Sequence, residues 1–301
     1  MSLYNKFNEY LKDKFGERTL KICIDGGFTC PNRDGTKAFG GCIFCGKRGS
    51  GERTQRISIS DQLSLYFDSY RSKQANKYIL YFQNFSNTYG DFDTLKAKYD
   101  EALQCENIVA LDIDTRPDCI TQEVCELLKS YTKKYYVYVE LGLQTSNELT
   151  HKSINQHISN EDFINAVKLL RKYGIDVVVH IMVGLPNETH EDIANTIKFL
   201  KEVDYQGIKI HSTYVIKNTK LEEMYNSQKY TPLTLDDYLD ELVYILTHIR
   251  DDVIVHRITG DPPKDLLVAP QWTTHKKLVI NRIEKILKDK NLYQGCLYNS
   301  D

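Results

Sequence analysis

LKICIDGGFTCPNRDGTKAFGGCIFCG, residues 20–46, combines a strand-like run with a glycine-rich loop that carries three cysteines. Eleven residues separate Cys30 from Cys42, and two separate Cys42 from Cys45. Thiolates in such a loop bind zinc or an iron–sulfur cluster, and a structural zinc ion takes four ligands. If these three cysteines hold a [4Fe-4S] cluster, one iron lacks a protein ligand and can bind a small molecule. The loop therefore predicts a reactive metal centre.

These residues resemble the radical S-adenosylmethionine (SAM) superfamily, in which three cysteines hold a [4Fe-4S] cluster and SAM chelates the open iron. An aromatic residue usually precedes the last cysteine there, and Phe44 occupies that place. The first spacing is longer than is usual in the superfamily. It is similar to that of the YtqA/YhcC-like branch, related to the elongator catalytic subunit, whose loop reads much like CPNRDGT at residues 30–36.

The other five cysteines leave one alternative open. Cys23 with the three loop cysteines would make a closed four-thiolate zinc site. Cys23 lies in the strand-like run, however, and its neighbours alternate as in a barrel strand, which favours three ligands. The remaining four are expected to be buried small residues; they are Cys105, Cys119, Cys125 and Cys296.

Strand and helix patterns alternate along the chain, which predicts an α/β protein with a parallel sheet. Strands are expected near 20–25, 77–83, 107–114, 135–144, 175–184 and 206–214, with helices near 60–73, 92–103, 121–132, 160–172 and 189–202. Six such units predict a partial (β/α)6 barrel, and the resemblance implies the same radical SAM architecture. An antiparallel sheet with one face in water is the alternative, although helical connections do not suit hairpins.

Extensions are expected on both sides of this core. We assign residues 1–19 to an N-terminal helical extension, 20–217 to the barrel and 218–301 to a C-terminal α/β extension that covers it. The last region contains helix patterns at 234–250 and 272–289 and a further strand candidate at 253–259. Thr234 is a plausible N-cap of the first of these helices.

The predicted strands place polar side chains on one face, which is unusual because buried parallel strands are normally apolar throughout. If the apolar faces meet the outer helices, the polar faces enclose a cavity suited to a charged cosubstrate. The polar-face residues are Lys21, Cys23 and Asp25; Asp112 and Asp114; Glu140 and Gln144; His180 and Met182; and Lys209 and His211.

Candidate SAM contacts lie in these strands and at their carboxyl ends, where ligands bind in parallel α/β proteins. By resemblance, Gln83 and Asn84 occupy the place of the family's SAM-amino-binding strand end. Arg116 is a candidate for the SAM carboxylate, although its segment also suits a turn with a surface ion pair. Glu140 and Gln144 are candidates for ribose or amino contacts, and Met182 to Gly184 for the adenine, with core filling as the alternative for Met182.

A substrate wall is expected from Lys209, His211, Tyr214 and Arg257. The first three lie on or just after the sixth predicted strand, and Arg257 lies in the strand candidate at 253–259. Arg257 or Lys209 could hold a substrate carboxylate. A hydrogen-bonded core histidine is the alternative role for His211.

Composition sets broad limits on partners and location. The chain has 301 residues and a formal net charge of −2, so composition does not indicate a nucleic-acid-binding protein. No apolar run is long enough for a membrane span, and we expect a cytoplasmic protein without a membrane partner. Two basic groups could contact phosphates or form ordinary solvated surface; they comprise Lys37, Lys47, Arg48, Arg53 and Arg56, and Lys129, Lys133 and Lys134.

The resemblance implies that a one-electron donor such as flavodoxin or ferredoxin reduces the cluster, that SAM is cleaved, and that a 5'-deoxyadenosyl radical takes hydrogen from the substrate. Kinship with elongator implies a tRNA wobble uridine as substrate, with a carboxymethylaminomethyl side chain processed to aminomethyl. Abstraction from its glycine-like methylene, oxidation to an imine and hydrolysis would release glyoxylate. The alternatives are a small metabolite or peptide substrate, and a zinc-stabilised nucleic-acid-binding module without catalysis.

Overall fold

Within residues 2–49, 51–52 and 54–300, which the computed structural model describes, seven parallel strands form one curled, open sheet. Their spatial order follows the chain, and every neighbouring pair is parallel. The seven strands are β1 (Thr19–Ile24), β2 (Lys77–Phe82), β3 (Ile108–Thr115), β4 (Tyr136–Gln144), β5 (Asp176–Val183), β6 (Gly207–Ser212) and β8 (Ile254–Arg257), and a separate antiparallel pair consists of β7 (Val215–Ile216) and β9 (Leu267–Ala269).

The predicted half-barrel is confirmed, and the antiparallel alternative is wrong. All six predicted strands are present, and the strand candidate at 253–259 adds a seventh beside β6. This strand comes from the segment that we assigned to the C-terminal extension.

Helices connect the strands and cover the outside of the sheet. Thr234 caps its helix as predicted, accepting a hydrogen bond from the Asp237 N–H at 3.2 Å. A short helix after β4 and another after β7 were not predicted. The helices are α1 (Phe7–Phe15), α2 (Ile59–Asp68), α3 (Phe92–Leu103), α4 (Gln122–Tyr131), α5 (Glu148–Ser153), α6 (Asn160–Lys172), α7 (His190–Lys201), α8 (Lys220–Asn226), α9 (Leu235–His248) and α10 (Lys276–Asp289).

The outward face of the sheet forms the main apolar core with these helices. Ile22 and Ile24 of β1, Leu111 of β3 and Val179 of β5 are almost completely buried there. Full burial of one such side chain contributes roughly 1.5–3 kcal/mol. Because this face carries the core, the alternate residues are free to be polar and to line the inside of the barrel.

The N-terminal helix α1 closes the barrel at the amino ends of the strands. Leu11 is buried against a cluster of inward-facing residues that includes Ala110 and Val178. The ring of Phe7 stacks on His256 of β8 at 3.8 Å, and the Val255 N–H donates to Asn5 O at 2.8 Å. The polar interior therefore opens toward the carboxyl ends of the strands.

Among the described residues, no helix has the length and hydropathy that crossing a lipid bilayer would require.

Candidate active site at the carboxyl ends of the strands

The cysteine loop lies at the carboxyl ends of the strands, and Cys30, Cys42 and Cys45 are all half-buried in it. The thiols of Cys42 and Cys45 share a hydrogen bond. This bond lowers the pKa of Cys45 to about 7, with a smaller contribution from the guanidinium of Arg33. A thiol with a lowered pKa is readily deprotonated for metal ligation. The same bond raises the pKa of Cys42 well above its usual range, so metal ligation, which requires the thiolate, would have to displace the proton of Cys42. The three side chains together offer the sulfur donors that an iron–sulfur cluster requires.

Side-chain amides fix this loop against the turn after α5. Asn32 donates from Nδ2 to the carbonyls of Gln156, at 3.0 Å, and of Asn155. Asn155 in turn donates to Gly41 O at 2.8 Å, and the Ile43 N–H donates to Ile154 O at 3.1 Å. These bonds bracket the segment between Cys30 and Cys42 and hold it in one place.

Asn84, predicted to contact SAM, anchors the other side of the loop. It donates from Nδ2 to Arg48 O at 3.1 Å and accepts from the Thr54 hydroxyl at 3.0 Å. A Cβ on Gly51 would lie 1.9 Å from Asn84 Oδ1, so only glycine fits there. The Asn84 amide is thus engaged by the loop itself, and a direct SAM contact from it stays a prediction.

Cys23 lies apart from the other three cysteines. It is exposed on the inside of β1. Although Cys23 is exposed to the interior of the barrel, desolvation there raises the pKa of its thiol, and the positive charges of Lys21 and Lys209 act in the opposite direction. The four-thiolate zinc alternative therefore lacks its fourth ligand. Cys119 and Cys125 are buried as predicted, whereas the prediction is wrong for Cys105 and Cys296, which are only half-buried because they lie in loops.

Arg116, predicted to bind the SAM carboxylate, makes a forked ion pair two residues along the chain. Its Nε and Nη2 donate to the two carboxylate oxygens of Asp118 at 2.8 Å each. Its Nη1 donates to Gln156 O at 2.8 Å, and the residue is 8% exposed. The expected alternative of a turn with an ion pair is present, but the pair is buried beside Cys30 and Cys42 rather than on the surface. A SAM contact from Arg116 stays a prediction.

Glu140 of β4 was also predicted to contact SAM. It is the centre of a network of charged side chains inside the barrel, which we call the barrel floor. It is 0% exposed and pairs with Lys21 at 3.0 Å, with Lys209, and with His180 Nε2 at 2.9 Å. Burial opposes its ionisation, but Lys209 and Lys21 outweigh that effect and hold the pKa of Glu140 well below its usual range. Its carboxylate is therefore charged and fully occupied by protein partners.

Two further carboxyl groups flank Glu140. Burial and the neighbouring Glu140 charge raise the pKa of Asp112 to about 7 and that of Asp114 well above its usual range. Asp112 nevertheless pairs with Lys21, and Asp114 accepts a hydrogen bond from the Tyr81 hydroxyl at 3.2 Å. The barrel floor thus places two carboxyl groups of raised pKa beside the charged Glu140.

His180 is expected to remain neutral far below its usual titration range. Burial lowers the pKa of His180 to about 4, although the hydrogen bond to Glu140 acts in the opposite direction. Between pH 6.5 and pH 4 the unfolded chain then binds more protons at this site than the folded protein. The contribution of His180 to stability therefore falls by about 3 kcal/mol as pH drops through that window.

An NMR titration of the histidine ring protons tests this expectation. The resonance that is lost in His180→Gln should have a midpoint near pH 4 in the wild-type spectrum. A midpoint near pH 6.5 would contradict the burial of a neutral imidazole.

An apolar wall lies beside the cysteine loop. Phe44 and Met182 pack against the same cluster, whose buried members include Ile43 and Leu185. Gly184 has φ +84°, and a Cβ there would lie 2.9 Å from Leu233. This wall offers the flat apolar surface that an adenine ring needs.

Two predicted SAM contacts lie where strands end. Gln83 is half-buried directly after β2, where its N–H donates to Ile24 O at 3.2 Å. Gln144 is half-buried with φ +70°, at an irregularity of the β4–β5 pairing. Both lie at the open end of the barrel, and their roles stay predictions.

The predicted substrate wall divides into two levels. Lys209 is buried with Glu140 and donates to the Tyr81 hydroxyl at 3.2 Å. Above it, the half-buried His211 ring lies 5.1 Å from the His180 ring, and its Nε2 has no hydrogen-bond partner among the described residues. Arg257 is close enough to influence the pKa of Cys23 and of His211. Arg257 is aligned with Lys209 in the β6–β8 pairing, so these two residues lie at one level, and His211 lies nearer the carboxyl end of β6.

Several residues of the site were not assigned a role from the sequence. Lys21 and Asp112 were placed on the polar face, but their pairing with Glu140 depends on neighbours across the barrel. Asn32 follows the first cysteine in Cys-Pro-Asn, a position where an amide side chain is a recognisable turn signal. Lys276, at the start of α10, lies near Arg257 and Asp261, and no sequence pattern indicated this.

A half-barrel with three loop cysteines at its carboxyl end defines a class of enzyme, and the chain belongs to the radical SAM superfamily. The family model described as Radical SAM superfamily matches residues 30–200, and the Radical SAM C-terminal domain matches residues 205–289. The chain is therefore a radical SAM enzyme with a [4Fe-4S] cluster and SAM as cofactors. Its three half-buried thiols and the adjoining apolar wall fit these two groups.

Relatives place the chain in one branch of that superfamily. It is 38% identical to YtqA of Bacillus subtilis over 98% of this chain and 92% of that protein. It is 31% identical to YhcC of Escherichia coli over 98% of this chain and 96% of that protein. The predicted YtqA/YhcC-like membership is thereby confirmed.

Two more distant similarities concern the elongator side of the family. A tRNA uridine(34) acetyltransferase of Methanocaldococcus jannaschii is 33% identical over 53% of this chain and 30% of that protein. The solved structure of Methanocaldococcus infernus Elp3 with an N-terminal deletion matches with a TM-score of 0.70 at 19% identity. The match covers 93% of this chain and 65% of Elp3, so this chain spans less than two thirds of the Elp3 structure.

Proposed function

We propose that this radical SAM enzyme acts on the wobble uridine of tRNA, where it converts a carboxymethylaminomethyl side chain to aminomethyl. The observation that carries this proposal is the half-buried cation Arg257, aligned with Lys209 in the β6–β8 pairing and close enough to influence the pKa of His211, whose Nε2 has no hydrogen-bond partner among the described residues. A guanidinium binds a carboxylate through charge-assisted hydrogen bonds. The similarity to the tRNA uridine(34) acetyltransferase of Methanocaldococcus jannaschii supports the choice of base.

In this proposal, different residues bind the cofactors, orient the substrate and stabilise the cavity. Cys30, Cys42 and Cys45 hold the cluster, and Phe44 and Met182 support the adenine of SAM. The bound cluster and SAM together would supply a 5'-deoxyadenosyl radical that takes one hydrogen atom from the glycine-like methylene. One further electron would pass to the oxidised cluster, and hydrolysis of the resulting imine by water would give the aminomethyl group and glyoxylate. Arg257 orients the substrate carboxylate, and His211 accepts or donates one hydrogen bond to the substrate. Lys209 stays with Glu140 and keeps the cavity floor rigid, so we assign it a positioning role.

We also propose the setting in which the enzyme works. A one-electron donor such as flavodoxin or ferredoxin reduces the cluster, as the resemblance to radical SAM enzymes implies. The location is the cytoplasm, where tRNA is available and where thiols remain reduced.

Anaerobic incubation with dithionite, SAM and tRNA from a strain lacking the enzyme tests the reaction. We expect formation of 5'-deoxyadenosine together with loss of the carboxymethylaminomethyl nucleoside and gain of the aminomethyl nucleoside, both measured by mass spectrometry. Arg257→Ala should raise KM at least about tenfold, because a charge-assisted hydrogen bond contributes about 1.5–3 kcal/mol. Arg257→Lys, which keeps the charge without the fork, should recover part of that loss.

An unchanged wobble-uridine profile in the presence of 5'-deoxyadenosine would remove the tRNA proposal and leave a small metabolite or peptide as the substrate. Binding experiments separate these cases further, since tRNA binding depends steeply on salt concentration.

A further inference from the structure

A cationic groove adjoins the cysteine loop and is not used by the reaction described above. It is a cavity of about 350 Å³ at the carboxyl ends of β1 and β2. Its lining includes Arg33, Lys47, Arg48 and Arg56, with Asp25 as the one carboxylate among the described lining residues. Four cations against one anion give the groove a net positive charge.

Some of the cationic side chains of this groove are ion-paired within the protein, and others are available to bind a ligand. Arg48 pairs with Asp25 at 2.6 Å, and Lys37, outside the groove, pairs with Asp118 at 2.6 Å. Lys47 and Arg56 are exposed and form no ion pair with any other described residue. Arg53, which the sequence groups with them, lies outside the described residues. Lys47 and Arg56 are therefore the charges that a phosphate would meet first.

Aromatic rings accompany these charges. Phe28 and Phe85 line the groove, and the Arg33 guanidinium lies 5.2 Å from the centre of the Phe85 ring. On the same loop, Phe39 is 77% exposed, and its ring lies over Gly35, where a Cβ would come within 2.5 Å of it. A large apolar ring held at the surface in a defined position is a platform for stacking.

Phe39 lies within the long spacing between Cys30 and Cys42 that distinguishes this loop. The segment is rigidly mounted, since Asn155 donates to the Phe39 carbonyl at 3.1 Å and Asp34 bridges to Phe39 through the backbone. Alternating cations and exposed rings are typical of surfaces that bind single-stranded nucleic acid. An acidic protein such as an electron donor would also meet the charges, but it would not require the exposed ring.

We propose that residues 31–41 and the cationic groove together bind a single-stranded stretch of RNA beside the cluster. Lys47 and Arg56 contact its phosphates, and Phe39 stacks on one of its bases. The identification of this RNA as the anticodon loop of tRNA rests on the proposed function. The groove then explains how a base is brought to the barrel mouth from outside.

Fluorescence anisotropy with the cluster-containing protein tests the proposal. The probes are a fluorescein-labelled anticodon stem–loop RNA and a labelled oligouridylate. The double variant Lys47→Ala/Arg56→Ala should weaken binding about tenfold at low salt. The slope of log K against log salt should fall by about 1.4, since each phosphate contact on a single strand contributes about 0.7. Phe39→Ala should weaken binding about tenfold with little change in that slope, whereas Phe39→Trp should retain affinity.

Matched controls come from the opposite end of the sheet. Lys172 is exposed at the end of α6, before β5, and Tyr293 is 58% exposed after α10. Lys172→Ala and Tyr293→Ala should leave RNA affinity unchanged. The cluster absorbance of every variant is compared with that of the wild-type protein, so that a folding defect is recognised.

RNA binding that is equal in wild type and in all groove variants overturns the proposal. Unchanged RNA binding with slower cluster reduction by flavodoxin overturns it too and assigns the groove to an acidic electron donor. If the variants lose RNA affinity but the wild-type protein leaves the wobble uridine unaltered, the groove stands and only the proposed reaction fails.

Discussion

Cys42→Ala is expected to abolish cluster assembly and reduce 5'-deoxyadenosine formation to background. Cys42 is half-buried and hydrogen-bonded to Cys45, so its thiol cannot be replaced by a neighbour without moving the loop. Segment 154–156 fixes that loop from outside, which prevents such a movement. Iron and sulfide content after anaerobic reconstitution, together with visible absorbance, measure the loss.

Cys23→Ala is the matched control for this prediction. Cys23 is an exposed thiol on β1, next to Lys21 and Lys209 rather than among the loop cysteines. Its removal should leave iron content and cluster absorbance at the wild-type level. Equal loss in the Cys23 and Cys42 variants would revive a four-thiolate site and contradict the three-ligand centre.

Glu140→Gln is expected to destabilise the folded protein by about 3 kcal/mol or more, because removing one member of a buried ion pair leaves the other charge uncompensated. Lys209 is the residue most affected, since it is almost fully buried and its ion-pair partner is Glu140. Lys21 keeps Asp112 as a second partner. Urea unfolding of the apoprotein at neutral pH gives the change in the free energy of unfolding.

Two companion variants make this result specific. Glu140→Gln/Lys209→Met removes both charges and should recover much of the loss, because replacing a whole buried pair by apolar groups is often neutral. Lys285→Ala breaks an exposed pair with Asp289 at 2.5 Å and should cost less than about 1 kcal/mol. If Glu140→Gln lowered the free energy of unfolding by as little as Lys285→Ala does, the charge network would not stabilise the barrel floor.

The sequence was sufficient for the features that depend on spacing along one segment. The three loop cysteines, the alternation in β1 and β4, and the helical connections all follow from local periodicity. The Arg116–Asp118 pair was also foreseeable, since the two residues are two positions apart. Family resemblance supplied the cofactors, and the family match confirms them.

Contacts between distant segments were beyond sequence reasoning. The ion pairs of Glu140 with Lys21, 119 positions away, and with Lys209, 69 positions away, were not predicted. Neither were the hydrogen bonds from Asn84 to the backbone carbonyls of Arg48 and Gly51. The SAM contacts of Glu140 and Asn84 stay predictions. Which partner a buried polar group finds depends on strand register and loop geometry, and periodicity contains neither. For the same reason, the sequence did not show that β8 pairs with β6 and extends the sheet.

Helix α1 closes the barrel at the amino ends of the strands, and this closure affects the order in which SAM and RNA can bind. Because Phe7 and Leu11 close the amino ends of the strands, SAM is expected to enter at the rim where the cysteines lie. If RNA binds that rim as proposed, it would cover the entrance, so SAM would have to bind before the RNA and its fragments would leave after it. The closed amino end of the barrel would thus set the order in which SAM and RNA bind and leave.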